Sequence, residues 1–164
     1  MTLLRQLFTT IPRRPWIGFT VFAILGVLGN ALSLPLFFGV DVVFGSIFTL
    51  IAIAWLGPRV GIAATLVAAS YTFFLWNHFY AAIVLVAEGV FVALVLTRLR
   101  GNLALSSTLF WLILGIPLHA ALYHYGLGMD SLGTQLATVK QATTGIFNSV
   151  IASLILSYAP YLTE

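Results

Sequence analysis

Glu88 lies ten residues into the apolar run "HFYAAIVLVAEGVFVALVL" that begins at His78. At about 1.5 Å of helical rise per residue, it sits roughly 15 Å below that histidine. A carboxyl group at such a depth in hydrocarbon is costly. It must face protein and hold either a partner or a proton. Such a group suits a ligand or proton site; its plainer reading is a neutral, hydrogen-bonded member of the packing. Trp76, Asn77 and His78 come together just before this run. Tyr123, His124 and Lys140 fall at the same expected depth on two later segments. These six and Glu88 are the candidate ligand-binding residues. The plainer readings are an aromatic belt at the headgroups for Trp76, Tyr80, Tyr123 and Tyr125, and snorkelling for Lys140.

The three histidines raise the question of a metal. His119 and His124 are five residues apart, about 140° around a helix, so they do not share a face. No HExxH spacing occurs, and zinc wants three or four converging ligands. His78 and His124 stand at one level on different segments and suit the axial positions of a haem b, with His119 as the substitute. There is no cysteine, which excludes disulfides, thiolate metal sites and Cys nucleophiles. Phosphate loop, Ser-His-Asp arrangement and paired catalytic carboxylates are all missing, so no enzyme is expected in this segment.

The elements that position these residues follow from composition. Of 164 residues, 61% are hydrophobic and 7% charged, against roughly 25% charged in soluble domains. The surface must face lipid. The apolar runs are long and lack strand alternation, which favours helices over a barrel. The expected fold is all-α: one domain over residues 1–164, a polytopic membrane bundle of six transmembrane helices at about 16–35, 42–56, 60–77, 79–97, 104–125 and 136–158. Pro35 and Gly39 break the first span, "GPR" turns the second into the third, and "RLRGN" closes the fourth. Pro117 kinks the fifth, "GLGMDSLGTQ" links it to the sixth, and Tyr158, Pro160 and Tyr161 end the sixth at an interface. The basic N-terminus has no small-residue cleavage site at a suitable distance and reads as the start of a retained span.

The charges orient the bundle. Arg5, Arg13, Arg14, Arg59, Arg98 and Arg100 fall on one side; Lys140, Asp41 and Asp130 fall towards the other. This is a positive-inside pattern with both termini cytoplasmic, as expected for a bacterial inner-membrane protein. Basic residues confined to span ends do not suit nucleic acid. The polar residues then collect on the periplasmic side, with Asn30, Ser33 and Asp41 also at that level. Asn148 suits an interhelical hydrogen bond. The small residues Gly145, Ser149, Ala152 and Ser153 have the spacing of a helix contact, the expected face of a homodimer.

The stretch "LPLFFGVDVVFGSIFTLIAIAWLGPRVGIAATLVAASYTFFLWNHFYAAIVLVAEGVFVALVLTRLR", with "ALYHYGLGMD" and "LATVKQATTGIFNSVIASLIL" after it, resembles the N-terminal six-helix input domain of bacterial sensor histidine kinases and diguanylate cyclases. The resemblance covers roughly residues 16–158 and implies signal transduction in a two-component or cyclic di-GMP system. It implies a homodimer and a cytoplasmic output module beyond Glu164. The segment "LGPRVGIAATLVAA" also looks like the substrate-binding components of energy-coupling-factor vitamin transporters, six-helix proteins with an outer-side pocket. The chain is therefore expected to be a sensory input domain that detects a small ligand or cofactor state from the periplasmic side; the alternatives are a bis-His haem b redox or gas sensor, from the histidines, and a vitamin-binding transporter component.

Overall fold

The structure is a computed structural model and describes residues 15–37 and 40–158. Arg5, Arg13, Arg14, Gly39, Pro160, Tyr161 and the side chain of Asp41 lie outside what is described. Among the described residues the chain forms six helices and one short hairpin. Helix α1 spans Pro15–Ala31, and strands β1 (Leu34–Phe37) and β2 (Val40–Val42) pair antiparallel after it. Helix α2 spans Gly45–Leu56, α3 Pro58–Trp76, α4 Tyr80–Val95, α5 Leu103–Gly126 and α6 Ser131–Tyr158. The first helix thus ends before Pro35, and a hairpin takes the residues expected to lead into the second span.

Helices α3, α5 and α6, of 19, 24 and 28 residues, are long and apolar enough to cross a membrane. Helices α1, α2 and α4, of 17, 12 and 16 residues, are apolar but fall short of the roughly 20 residues a full crossing needs. Each of the six stretches expected as spans contains a helix, and three of those helices reach crossing length.

Local chemistry sets the helix ends. Pro58 opens α3, where its missing N–H is no loss, after Gly57 at φ 93°. Asn102 caps α5 by accepting from the Leu105 N–H at 2.9 Å, and Asp130 accepts from Gly133 N–H at 3.3 Å at the start of α6. Asn77 takes a left-handed conformation, φ 54° and ψ 29°, and ends α3. Asparagine tolerates that region better than most residues.

Helix α5 is not regular. Its turns at Trp111–Gly115 and Leu122–Gly126 are π-helical. The Ile116 N–H reaches the Trp111 carbonyl, five residues back, just ahead of Pro117, which has no N–H to give. A wide turn absorbs the proline that was expected to kink the span.

The packing runs α1–α2–α3, then α4 onto α3, with α5 and α6 closing against α4 and α2. Large apolar side chains such as Phe74, Leu94, Leu112, Leu132 and Val139 are exposed, while Asn30, Thr65, Glu88, Ser107, His119, Gln141 and Asn148 are buried. An apolar exterior around a core that buries these polar groups among apolar clusters fits a chain with an apolar solvent around it. Asn30 ties three helices together: its Nδ2 donates to the Ala68 carbonyl at 2.8 Å, and its Oδ1 accepts from Gly45 N–H at 3.0 Å. Asn148 donates to the Val43 carbonyl at 2.9 Å and to Ser46 Oγ at 2.7 Å, joining α6 to the start of α2.

The small-residue face of α6 is used inside the chain. Gly145, Ser149 and Ala152 are buried, and a Cβ at Gly145 would run into the Trp111 indole. The expected dimer contact is corrected accordingly: Gly145 lets α5 approach α6, and these three buried residues are not open to a second copy.

Candidate functional site

Two polar constellations occupy the bundle, one at the Trp76 end and one in the core. At the Trp76 end four helices and one turn deliver aromatic and basic side chains. The end of α3 supplies Trp76, the following turn His78, the start of α4 Tyr80, and the last turns of α5 His119 and Tyr123. Lys140 comes from α6. The His78 ring lies 6.5 Å from Trp76, 5.6 Å from Tyr80 and 5.3 Å, edge-on, from Tyr123. Tyr123 stacks on His119 at 3.9 Å, with 17° between the planes. Lys140 Nζ sits 5.3 Å from the centre of the Trp76 ring, a cation–π contact, and donates to Gln141 Oε1 at 3.4 Å. Tyr80 closes the rim by donating from its hydroxyl to the Gly126 carbonyl at 3.3 Å.

The histidines differ within this cluster. His119 is 1% exposed, and its Nδ1 lies 2.9 Å from Thr138 Oγ1. His78 is half-buried, and its Nδ1 is shielded from solvent without a hydrogen-bond partner. Burial holds the His78 imidazole below its ordinary value of 6.5, against a smaller opposing effect of a hydrogen bond with its own backbone, so the neutral ring is favoured. Such a ring, beside an ammonium and stacked aromatics, can take a hydrogen bond from a small ligand while Lys140 balances an acidic group on it.

Trp76, His78, Tyr123 and Lys140 therefore come together as expected of one site, and His119 and Tyr80 join them. Asn77 does not: it is exposed and serves the turn. His124 does not either. It is exposed, donates from Nδ1 to the Met129 carbonyl at 2.9 Å, and meets Tyr125 edge-on at 4.8 Å. With His119 facing the core, the roughly 140° between the two residues turns His124 away from the cluster.

The haem alternative can be tested on this geometry. Axial histidines need a flat slot between them for the macrocycle. Tyr123 fills the space between His78 and His119, and His124 makes its contacts elsewhere. The residues do not fit a bis-His haem. Among the described residues no three His, Cys, Asp or Glu side chains gather as a metal site.

The second constellation centres on Glu88, which is 1% exposed and faces the core. Ser107 Oγ donates to its Oε1 at 2.5 Å, and Trp111 Nε1 donates to the same oxygen at 3.0 Å. Both donors belong to α5, one turn apart, and both are fully buried. Glu88 is separate from the Trp76 cluster. The sequence reading placed Glu88 in the bundle but missed Ser107 and Trp111. Their signal was the pairing of Ser and Trp at four-residue spacing in "SSTLFW", which one helix face presents together.

A third feature is a cleft of about 670 Å³ between α3, α4 and α5, lined by Leu66, Phe79, Ile83, Val90 and Leu114 among others. Its wall is apolar apart from Ser70, so it offers little to orient a polar ligand and suits an acyl chain. Comparison with family models, with curated proteins and with solved structures finds no match for this chain.

Proposed function

We propose that the chain is a membrane-embedded sensory input domain that receives a small ligand at the Trp76 end and passes the change along α6 to a cytoplasmic signalling module. The observation that carries this reading is the cluster of Trp76, His78, His119, Tyr123 and Lys140, which joins stacked rings, an unpartnered imidazole nitrogen and an ammonium at one end of the bundle. Helix α6 touches that cluster through Thr138 and Lys140 and runs on to Tyr158, so a shift at one end has a rigid element to travel on. In this reading the bundle has six spans, the three short helices crossing with the help of flanking residues and local thinning. Both termini are cytoplasmic in a bacterial inner membrane, the Trp76 end is periplasmic, and the domain acts as a homodimer. Its output is a histidine kinase or a diguanylate cyclase.

Reporter fusions after Leu127 and after Leu162 test the topology: opposite sides are expected, and the same side for both overturns it. For sensing, the purified protein is screened by thermal shift against small aromatic and acidic metabolites. A stabilising compound should lose its effect in His78→Ala and in Lys140→Ala. A compound that stabilises all three proteins equally does not use this site. The stacked rings of His119 and Tyr123 also suit a planar heterocycle, which supports the second reading, a vitamin-binding transporter component. Such a protein should retain its ligand through purification, and a sensor with weak reversible binding should not.

A further inference from the structure

The apolar cleft between α3, α4 and α5 starts at Phe79, the residue after His78, and follows α4 through Ile83 and Val90 to Leu94. Phe79 and Leu94 are fifteen residues apart, about 22 Å of helical rise. A single acyl chain spans one leaflet, half of a hydrocarbon core of roughly 30 Å. The cleft is long enough for one whole tail. Ile83, Val90 and Leu94 are exposed along it, so a tail can enter sideways from the bilayer.

Cleft and ring cluster share their walls. On α3, Ala69 lines the cleft and Trp76 lies seven residues further on, about 20° away around the helix. On α4, Ala87 lines the cleft and Tyr80 lies seven residues before it, on nearly the same face. Phe79 stacks on Phe73 at 4.4 Å where α3 gives way to α4. A tail in the cleft therefore leads to the rings around His78 and to Lys140, whose Nζ is 5.3 Å from the centre of the Trp76 ring. Charge fixes the sign of the head. Arg59 stands at the start of α3, and Arg98 and Arg100 follow the end of α4, all at the opposite end of those helices. Lys140 is the one described Lys or Arg at the Trp76 end. Asp130 is ten residues before it, about 15 Å along the axis, and is engaged with the Gly133 N–H. An ammonium among rings and apolar side chains favours an anionic partner.

We propose that the Trp76 end and the cleft are one site for a long-chain fatty acid, its carboxylate at Lys140 and its tail along α4. This rests on the Trp76 end being a ligand site and names the class of ligand. The head alone sets selectivity, because the tail leaves one apolar medium for another.

The test uses the full chain in nanodiscs of phosphatidylcholine, in mildly alkaline buffer, with palmitate carrying a photoactivatable diazirine in its tail. Crosslinks are mapped by mass spectrometry. Label should concentrate on residues 79–94. Unlabelled palmitate should displace it, while hexadecanol and hexadecylamine at the same membrane fraction should not. Lys140→Met should raise the half-displacing amount of palmitate by about tenfold, the loss of one charge-assisted contact. Ile83→Trp, at an exposed position that the tail must pass, should remove the label from α4. Equal displacement by hexadecanol overturns the inference and leaves the cleft to ordinary lipid. An unchanged half-displacing amount in Lys140→Met also overturns it. Displacement that depends on Lys140 but is unaffected by Ile83→Trp overturns it alone: the Trp76 end is then a ligand site whose ligand does not use the cleft.

Discussion

Replacing Ser107 with alanine removes one hydroxyl from the centre of the bundle and little else. Ser107 is fully buried, as is Trp111, and both donate to the same oxygen of Glu88. No solvent reaches that oxygen, so Ser107→Ala leaves it one donor short with no water to replace it. A net hydrogen bond to a charged or strongly polar buried group contributes about 1.5–3 kcal/mol. Interhelical hydrogen bonds in membranes average nearer ~0.6 kcal/mol, with a maximum of about 1.7, because the unfolded chain finds other partners there. The short Ser107–Glu88 contact between two buried groups belongs at the upper end, about 1–2 kcal/mol. The clean measurement is a double-mutant cycle of Ser107→Ala with Glu88→Gln, by reversible unfolding in bicelles. A coupling energy of about 1 kcal/mol or more is expected. A coupling below about 0.3 kcal/mol, the range in which independent sites add, would refute the claim that α5 holds Glu88 through this bond.

Gly145→Ala should destabilise by about 1–3 kcal/mol through overpacking against Trp111, read by the same unfolding assay; a neutral effect would mean that α5 and α6 can part freely. Asn148→Ala deletes two bonds, to Val43 and Ser46, and should cost about 1–2 kcal/mol, with earlier loss of amide-exchange protection at the start of α2. The His78 imidazole is held below 6.5 by burial, so the unfolded chain binds its proton first. Stability from this group is present above 6.5 and is lost as pH falls through the folded value. His78→Phe should flatten that part of the pH–stability curve, and an unchanged slope would show that another group causes it.

The helical class and most helix limits were legible because apolar runs and their punctuation are local signals. "GPR" and Asn102 each end or start an element through their own backbone chemistry, whereas Asp130 starts α6 at Ser131 inside a stretch expected to be a Gly-rich connection up to about 136. The hairpin after Ala31 was not legible, since "LPLFFGVDV" reads equally well as a helix end and a loop. Trp76, His78, Tyr123 and Lys140 could be grouped by depth alone. His124 could not be excluded that way, because depth says nothing about azimuth. Glu88 announced itself by its charge. Its partners did not, since Ser107 and Trp111 are ordinary residues of an apolar helix until a carboxylate faces them. The small face of α6 carried the spacing of a helix contact, and spacing does not reveal whether the neighbour belongs to the same chain.

The wide turn at Trp111–Gly115 amounts to one extra residue threaded into α5. Trp111 and His119 are eight residues apart; in an unbroken α-helix they would point about 80° away from each other. A π-helical turn takes up one residue more than an α-helical turn, which brings the effective spacing to seven and the angle to about 20°. One face of α5 can therefore meet Glu88 through Trp111 at its middle and Thr138 of α6 through His119 near its end. Deleting a single residue between 111 and 115 would take out the extra residue and leave a regular helix with its two halves still in phase, whereas closing the turn to α-helical geometry with all residues kept would rotate everything after it by about 100°. The two polar constellations are thus geared to each other through a register that can be gained or lost in one step.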